Sequence, residues 1–448
     1  MANDAAPIGP VQTLTADSEV RVPHRWRNLG LITGGSVIDS GDTSIVPTLF
    51  PTLQGVFHVP LSALGNLTAL GKIVGVVSGP LIVYLSRRTN RKVILAIFSG
   101  LWGAWSILAA LSQNYTQLLI MLLIAMAGYA GAAPITNELF SDLFGDRRRG
   151  RVAGYFYGIS SLVGSGVGAA IGQLSKIDNG WRYGLAGAGV LAMIFGVAIL
   201  IFFRDPGVGA AEPELSHLSR TERDAESKVT WGRIVQLAKT RSFVLMMIQR
   251  LLSGHLLIQT FGVTFLVQVR HFHNATAALV TLPFGIGYFC AAVFVSRLTD
   301  RIHLRNPRFG RIGSLQAAQF GFAVVAFIAT QFDWGSTIGI YIVFWFLMGG
   351  LQGINPSINR PIVMSVVSPE LRGAAFAIML SIFETAGWAV FNFLGGKLGD
   401  AIGLQHTFLW ILVILMIVNA AFVTLLYRPY ARESAAVREL LAQRAQQH

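Results

Sequence analysis

The chain has 448 residues, of which 53% are hydrophobic and only 13% are charged. Because soluble proteins contain about a quarter charged residues, this composition excludes an ordinary soluble protein and predicts extensive contact with lipid. The formal net charge of +13 does not indicate nucleic-acid binding, since the arginines are gathered in alternate loops rather than along one polar face.

Apolar, nearly uncharged runs of about 20 residues recur along the chain, and each is long enough to cross a hydrocarbon core of about 30 Å as a helix. We therefore predict an all-α integral membrane protein with twelve transmembrane helices. The predicted helices begin near Leu29, Ser62, Val93, Gln117, Val152, Gly184, Phe243, Thr276, Ile312, Thr337, Ala374 and Phe408.

The longest polar segment of the chain separates the first six predicted spans from the last six. We expect two six-helix bundles joined by a linker, flanked by polar ends. The predicted ranges are 1–28 for an N-terminal cytoplasmic segment, 29–203 for the first bundle, 204–241 for a cytoplasmic linker, 242–428 for the second bundle and 429–448 for a cytoplasmic tail.

The basic residues alternate between loops along the chain. The basic loops contain Arg87, Arg88, Arg91, Lys92, Arg147, Arg148, Arg149, Arg151, Arg297, Arg301, Arg305, Arg308 and Arg311. The intervening loops at 57–61, 112–116 and 331–336 contain no Lys or Arg. Because cytoplasmic loops carry the excess of Lys and Arg, both termini are predicted to lie in the cytoplasm, with the protein in the cell (inner) membrane.

The fourth and tenth spans share the pattern GxxGxxPxxN at one constant offset. It consists of Gly128, Gly131, Pro134 and Asn137 in the first half and of Gly350, Gly353, Pro356 and Asn359 in the second. Parallel repeats of six helices are common in transporters, which bind substrate near the midplane between the repeats. The next residue breaks the symmetry, since Glu138 corresponds to Arg360.

Two aspartates lie about halfway along the first predicted span. An ionisable group inside a bilayer costs about 2.5 to 3.5 kcal/mol on insertion scales, so it indicates a function or a buried partner. Asp39 and Asp42 are three residues apart and share one helix face, where repulsion and burial both disfavour two negative charges. We interpret both as candidate proton carriers and favour Asp39. The alternative is a structural salt bridge from one aspartate to Lys72.

Charged residues also occur within the seventh and eleventh spans. Arg250 would attract an anionic head group, while Glu384 would pair with Arg250 or carry a proton. His255 follows five residues after Arg250 on the same helix. We treat Arg250 and His255 as candidate substrate contacts, and the alternative is a set of satisfied interior polar groups.

Further charged residues at the cytoplasmic helix ends are candidates for gates. The candidates are Glu138, Arg360, Asp142, Arg88, Arg91, Asp300 and Arg301. Glu138 and Arg360 would form a salt bridge between the two halves, or else pairs within each half. Asp142 would accept hydrogen bonds from Arg88 or Arg91 and close the cytoplasmic face.

The loop after the second span reads Ser86-Arg87-Arg88-Thr89-Asn90-Arg91-Lys92 and resembles the signature of the major facilitator superfamily. Its ending is similar to the Spinster branch of lipid and sphingolipid transporters, as is Ile38-Asp39 in the first span. The resemblance implies the major facilitator fold, with two pseudo-symmetric six-helix bundles that work as a monomer. Arg87 replaces the acidic residue of the family signature, and the glutamate of Spinster proteins in the fourth span falls at Tyr129.

We therefore predict a secondary transporter that works by alternating access, is coupled to protons and moves an amphipathic or anionic small molecule. The resemblance implies lysolipid-like or sphingolipid-like cargo, and an organic-anion symporter or a multidrug exporter is the alternative. The predicted substrate contacts are Arg250, His255, Lys72, Tyr129, Asn137 and Asn359, and the predicted coupling residues are Asp39, Asp42 and Glu384.

Several other functions are disfavoured by missing motifs. The sequence contains no P-loop, no HExxH helix and no GxSxG turn, which argues against ATP hydrolysis and against an intramembrane enzyme. We expect no cofactor and no metal. The expected partners are a small-molecule substrate, protons or another coupling ion, and the lipid bilayer.

Overall fold

The computed structural model describes residues 22–144, 146–207, 231–367 and 371–446, and the regular structure in these ranges is helical. We refer to residues 22–207 as the first half and to residues 231–446 as the second half. The first half contains α1 (Arg25–Phe57), α2 (Leu61–Arg88), α3 (Arg91–Phe98), α4 (Ala104–Ala110), α5 (Tyr115–Leu143), α6 (Asp146–Gln173) and α7 (Gly180–Phe202).

The second half contains a larger number of shorter helices. They are α8 (Trp231–Lys239), α9 (Arg241–Leu251), α10 (Leu257–Gln268), α11 (Asn274–Cys290), α12 (Ser296–Arg305), α13 (Gly310–Gln331), α14 (Ile338–Gly353), α15 (Asn355–Val366), α16 (Arg372–Ala377), α17 (Thr385–Phe408), α18 (Leu415–Val423) and α19 (Tyr427–Gln446). Short 3₁₀ or π-helical segments join several neighbours, such as Gly254–Leu256 and Ile378–Glu384.

Nine helical runs among the described residues are long and apolar enough to cross a bilayer. Helices α1 and α6 are not among them, although they contain 33 and 28 residues, because glycine, serine and charged residues lower their hydropathy. The last run, Ile378–Leu440, has 63 residues, which is long enough for two crossings. It bends at Gly403, whose φ is 79°. The predicted all-helical class is confirmed, and the count of twelve spans stays a prediction.

The outward faces of these helices are apolar. Val77 and Leu81 on α2 are 71% and 60% exposed, and Ile194 on α7 is 56% exposed. Large apolar side chains would be costly at a water interface in such numbers, whereas hydrocarbon accepts them. The exposed faces therefore fit a lipid environment.

The two halves share a buried apolar core at only one end of the described structure. The loops at 57–61, 112–116 and 331–336 lie at this end, which we call the opposite end. There one cluster contains Ile45 and Trp181 of the first half together with Phe265 and Tyr341 of the second.

The end with the arginine-rich loops, which we call the basic end, is built differently. Its described buried apolar residues form two clusters, one in each half. Ile94 and Leu139 belong to the first-half cluster, and Met246 and Ile362 belong to the second-half cluster. The halves are therefore joined at the opposite end and packed separately at the basic end.

Helices α2 and α17 form one of the main contacts between the halves. Glycines allow the two backbones to approach closely. A Cβ atom added to Gly65 would lie 2.4 Å from the carbonyl oxygen of Asn392, and the Cα atom of Gly396 would lie 3.1 Å away. Neither neighbour is the end of a flexible side chain, so only a residue without a side chain fits at Gly65.

We predict that Gly65→Ala destabilises the protein. The added methyl group must displace the backbone of α17, and overpacking of this kind typically costs about 1 to 3 kcal/mol. Thermal unfolding in detergent should show a lower transition temperature than for the wild type. Gly30→Ala on α1 is the matched control, because a Cβ atom there meets nothing within 4 Å. Equal transition temperatures for the two variants would contradict the proposed close packing.

Candidate substrate cavity and charged clusters

A cavity of about 430 Å³ lies between the two halves. Helices α1, α2, α5 and α6 line it from the first half, and α10, α11, α14 and α17 line it from the second. About half of its lining residues are serines or threonines, mainly on α1 and α6. The volume is within the range of small-molecule sites, about 300 to 1,000 Å³.

Lys72 is the only charged residue that lines this cavity among the described residues. Its Nζ atom lies 4.2 Å from the ring centroid of Trp388, which belongs to the other half. A cation over an indole ring is attracted by the ring quadrupole, so Trp388 holds the ammonium group in place without neutralising its charge. Glu384 acts on Lys72 electrostatically but forms no salt bridge with it, so the ammonium group can still contact an anion in the cavity.

The predicted alternative role of Lys72, a salt bridge to an aspartate, is not formed in the described part of the chain. Asp39 instead accepts a hydrogen bond of 2.7 Å from the hydroxyl of Ser99, at the end of α3. Asp42 accepts one of 2.6 Å from the hydroxyl of Ser106 on α4. The two carboxylates thus share one face of α1, and that face is turned toward α3 and α4.

Tyr129 extends the hydrogen-bonded chain at Asp42. Its hydroxyl lies 3.1 Å from the hydroxyl oxygen of Ser106. Because Ser106 has one proton to donate and an ionised Asp42 can only accept, the tyrosine is then the donor to the serine. The second carboxylate oxygen of Asp42 is buried without a hydrogen-bond partner, as is that of Asp39.

A side pocket of about 20 Å³ connects Asp42 to the cavity region. Asp42 and Tyr129 line it, and it shares Thr43, Thr68 and Met126 with the cavity. A space of this size holds about one water molecule. Asp42 is therefore nearer to the cavity than Asp39, which lines neither space.

Arg250 and Glu384 form an ion pair, with 2.8 Å between the guanidinium nitrogen and the carboxylate oxygen. Arg250 is buried and Glu384 is 31% exposed. His255 is buried in the 3₁₀ turn after α9, with its ring 5.7 Å from that of Phe322. The predicted substrate contacts Arg250 and His255 do not line the cavity, because one is turned toward Glu384 and the other is packed against an aromatic ring.

Arg91 is the centre of a charged cluster at the basic end. Its guanidinium donates to Asp142 at 2.7 Å, and two of its nitrogens donate to the carboxylate of Asp205 at 2.6 and 3.1 Å. Arg91 and Asp142 are buried. The exposed Arg88 lies instead over the ring of Tyr84, 4.6 Å from its centroid. All three members of the cluster belong to the first half, so the cluster ties helices together within that half.

The remaining predicted site residues are not brought into the cavity. Asn359 is buried on α15 and its side-chain oxygen has no hydrogen-bond partner. Arg360 is half-buried on the same helix, and Arg301 is exposed on α12. The side chains of Asn137, Glu138 and Asp300 lie outside the described residues, so the proposed bridge from Glu138 to Arg360 stays a prediction.

Several partners in these clusters were missed by sequence reasoning. Ser99 and Ser106 are ordinary membrane-helix residues, and no local signal marks them as partners of the aspartates. Trp388 lies four residues after Glu384, so a helix-face argument would have placed it beside a charged site. Asp205 was assigned to the linker by its polar surroundings, although it is anchored to Arg91.

Comparison with known proteins identifies the family. The sequence profile of the Major Facilitator Superfamily matches residues 32–381. The chain therefore belongs to this superfamily of membrane transporters, which fits a helical protein with a cavity between two halves. It is a multi-pass membrane protein with a small-molecule substrate, and its relatives are transporters rather than enzymes.

Spinster proteins are among the relatives, as the sequence resemblance predicted. The sphingosine-1-phosphate transporter SPNS2 of Danio rerio is 26% identical over 398 residues, covering 83% of this chain and 76% of that protein. The uncharacterized MFS-type transporter YtbD of Bacillus subtilis (strain 168) is also 26% identical, over 385 residues, covering 84% of this chain and 89% of that protein.

Solved structures show the same fold. A bacterial homolog of the human lysosomal transporter Spinster, inward-facing and unoccupied, superposes with a TM-score of 0.69 at 15% identity, covering 93% of this chain and 98% of that one. The inward-open xylose transporter XylE from E. coli superposes with a TM-score of 0.67 at 14% identity, covering 89% and 95%.

We predict that Arg91→Ala strongly destabilises the first half. Removing one partner of a buried ion pair typically costs about 3 to 5 kcal/mol. Thermal unfolding in detergent should show a large decrease in transition temperature. Arg88→Ala should leave the transition almost unchanged, because Arg88 is exposed and stacks on a tyrosine of its own helix. A similar decrease for both variants would contradict this interpretation of the cluster.

Proposed function

We propose that this protein is a proton-coupled secondary transporter that works by alternating access and moves an anionic, amphipathic small molecule. The observation that carries the proposal is the cavity between the halves, with Lys72 as its charged lining residue. A cation that lines a site of low dielectric attracts an anionic ligand, because an unpaired charge there is costly for either partner.

The apolar and aromatic part of the lining supports an amphipathic cargo. Trp345, Trp388 and Phe284 line the second-half side of the cavity, while most of the hydroxyl groups lie on the first-half side. A molecule with a polar anionic head and an apolar body would match both sides. The similarity to a sphingosine-1-phosphate transporter supports a lysolipid-like or sphingolipid-like cargo.

The high content of serine and threonine favours a second candidate. Hydroxyl groups bind carboxylate and phosphate oxygens by hydrogen bonds, and they suit a compact, water-soluble anion better than a hydrocarbon chain. The second candidate function is therefore an organic-anion symporter that uses the same cavity and the same lysine.

We assign proton coupling to the aspartate pair on α1, with Asp42 as the carrier. Its unpartnered carboxylate oxygen and its side pocket support a proton exchange with water from the cavity. Asp39 lies one helical turn away, so a second carboxylate shares the same face of α1. Glu384 is a weaker candidate, since its carboxylate is already engaged in an ion pair with Arg250.

The orientation follows from the distribution of the basic residues. The positive-inside rule supports a cytoplasmic basic end, and both termini then lie in the cytoplasm of a cell with the protein in its inner membrane. With this orientation the joined opposite end faces outward. We propose that a single chain is the working unit, because its two halves already enclose the cavity between them.

The role of Lys72 is tested by transport into proteoliposomes. The panel contains lysophospholipids, sphingoid bases, organic anions and cationic drugs. We expect an anionic compound to be transported, and Lys72→Gln to raise its KM by about tenfold to a hundredfold, the usual worth of a hydrogen bond to a charged group. Lys397→Gln is the matched control, because Lys397 is exposed on α17 and does not line the cavity.

The outcome also separates the two candidate functions. Transport of a lipid-like anion supports the first candidate, and transport of a soluble anion alone supports the second. Transport of cationic drugs only, with a KM unaffected by Lys72→Gln, would contradict both.

Proton coupling is tested with Asp42→Asn. The amide keeps the size of the side chain but cannot carry the proton, so accumulation driven by a proton gradient should be lost. Counterflow exchange, which needs no net proton movement, should stay within about threefold of the wild type. Asp39→Asn is measured in parallel. Loss of gradient-driven accumulation in the Asp39 variant alone would overturn the assignment to Asp42.

A further inference from the structure

The first turn of α2 receives its helix cap from the other half of the protein. The first N–H groups of any helix have no partner within the helix. The N-cap residue of α2 is Pro60, which offers no side-chain acceptor, and the structure shows no cap from it. Instead Asp400 on α17 accepts hydrogen bonds from the backbone N–H groups of Leu61 and Ser62, at 2.7 and 3.0 Å.

Each carboxylate oxygen of Asp400 accepts one of the two bonds. A carboxylate at a helix N-terminus gains from the partial positive charge there in addition to the hydrogen bonds. Other side-chain contacts between the halves at the opposite end join neutral groups. Gln268 donates to Gln54 at 2.7 Å, and Asn274 donates to Thr52 at 3.4 Å.

The position of Asp400 makes its bonds sensitive to movement of the halves. It lies one turn after Gly396, where α2 and α17 are in backbone contact, and Gly399 lies against the side chain of Leu61. Separation of the halves at the opposite end would break both hydrogen bonds together. The same movement would leave two N–H groups of α2 without their carboxylate.

Glu433 provides an internal comparison, because it makes the same contact within one half. Its two carboxylate oxygens accept hydrogen bonds from the N–H groups of Arg241 and Ser242, both at 2.9 Å, at the start of α9. Since α19 and α9 both belong to the second half, this cap does not depend on how the halves are arranged. Asp400 differs in that its donors belong to the other half, so its cap depends on how the halves are arranged at the opposite end.

We infer that Asp400 is a positioning residue of the transport cycle, which holds the opposite end closed by capping α2 across the two halves. A contact present in one of two conformations shifts their equilibrium by its whole free energy. Loss of a helix cap should therefore raise the population of the form open at the opposite end by about tenfold. The inference rests on the alternating access of the proposed function.

The test is a distance measurement between spin labels on the two halves at the opposite end. Cys290, the only cysteine, is replaced by alanine, and cysteines for labelling replace Lys176 and Ser336, which are both exposed. The full-length protein is reconstituted in nanodiscs and measured by pulsed electron paramagnetic resonance. Asp400→Ala should increase the long-distance population about tenfold relative to the labelled parent, whereas Asp400→Glu should restore part of the short-distance population.

Glu433→Ala is the matched control, since it removes the same kind of cap without a partner in the other half. It should lower thermal stability and leave the distance distribution unchanged. If the Asp400→Ala variant is not obtained in folded form, Asp400→Asn keeps the side-chain size and should shift the distances in the same direction by a smaller amount.

Two negative outcomes have different meanings. If a change of pH or a lysophospholipid from the transport panel changes the distances of the parent protein but Asp400→Ala and Asp400→Asn do not, the inference about Asp400 is overturned and alternating access stands. If the substitutions, the change of pH and the lysophospholipid all leave a single short distance, alternating access itself is contradicted, and the inference is overturned with it.

Discussion

The absence of water from the hydrocarbon core is the constraint on which the rest of this structure depends. Every polar group placed there must find its partner within the chain. Asp39 and Asp42 each accept a serine hydroxyl, and Arg250 is paired with Glu384. Each of these contacts joins two helices that are separate in sequence. The few polar residues therefore fix particular helix contacts, while other contacts, such as that of α2 with α17, depend on close packing at glycines.

Lys72 in the cavity departs from this rule, because it forms no salt bridge in the described part of the chain. This departure determines the chemistry of the cavity. Lys72 lies over an aromatic ring, and Glu384 acts on it electrostatically without forming a salt bridge. An ammonium group that is held but not neutralised remains able to attract an anion, whereas the guanidinium of Arg250 is already occupied by Glu384. A charge in the interior is therefore not by itself evidence of a binding site. A charged residue with a direct ion-pair partner, such as Arg250, differs in this respect from one without, such as Lys72.

The sequence predicted the features that depend on composition, but not the contacts that depend on the direction of individual side chains. Apolar runs of sufficient length gave the positions of most helices, because burial in lipid depends on composition alone. The contact of Asp142 with an arginine could be anticipated, but the choice of Arg91 over Arg88 depends on the direction of each side chain at the helix end. Arg250 and His255 were predicted in the cavity because both are polar and lie on one span. Only the folded arrangement shows that a break after α9 turns them toward Glu384 and Phe322.

The difference between the two ends follows from where the carboxylates find their donors. At the basic end Asp142, Asp205 and Glu433 bind donors in their own half, so these contacts survive any movement of one half against the other. At the opposite end Asp400 binds donors in the other half. The same capping chemistry thus stabilises one half in the case of Glu433 and one arrangement of the two halves in the case of Asp400. The function of a polar contact in a transporter is determined by which rigid units it joins, more than by its strength.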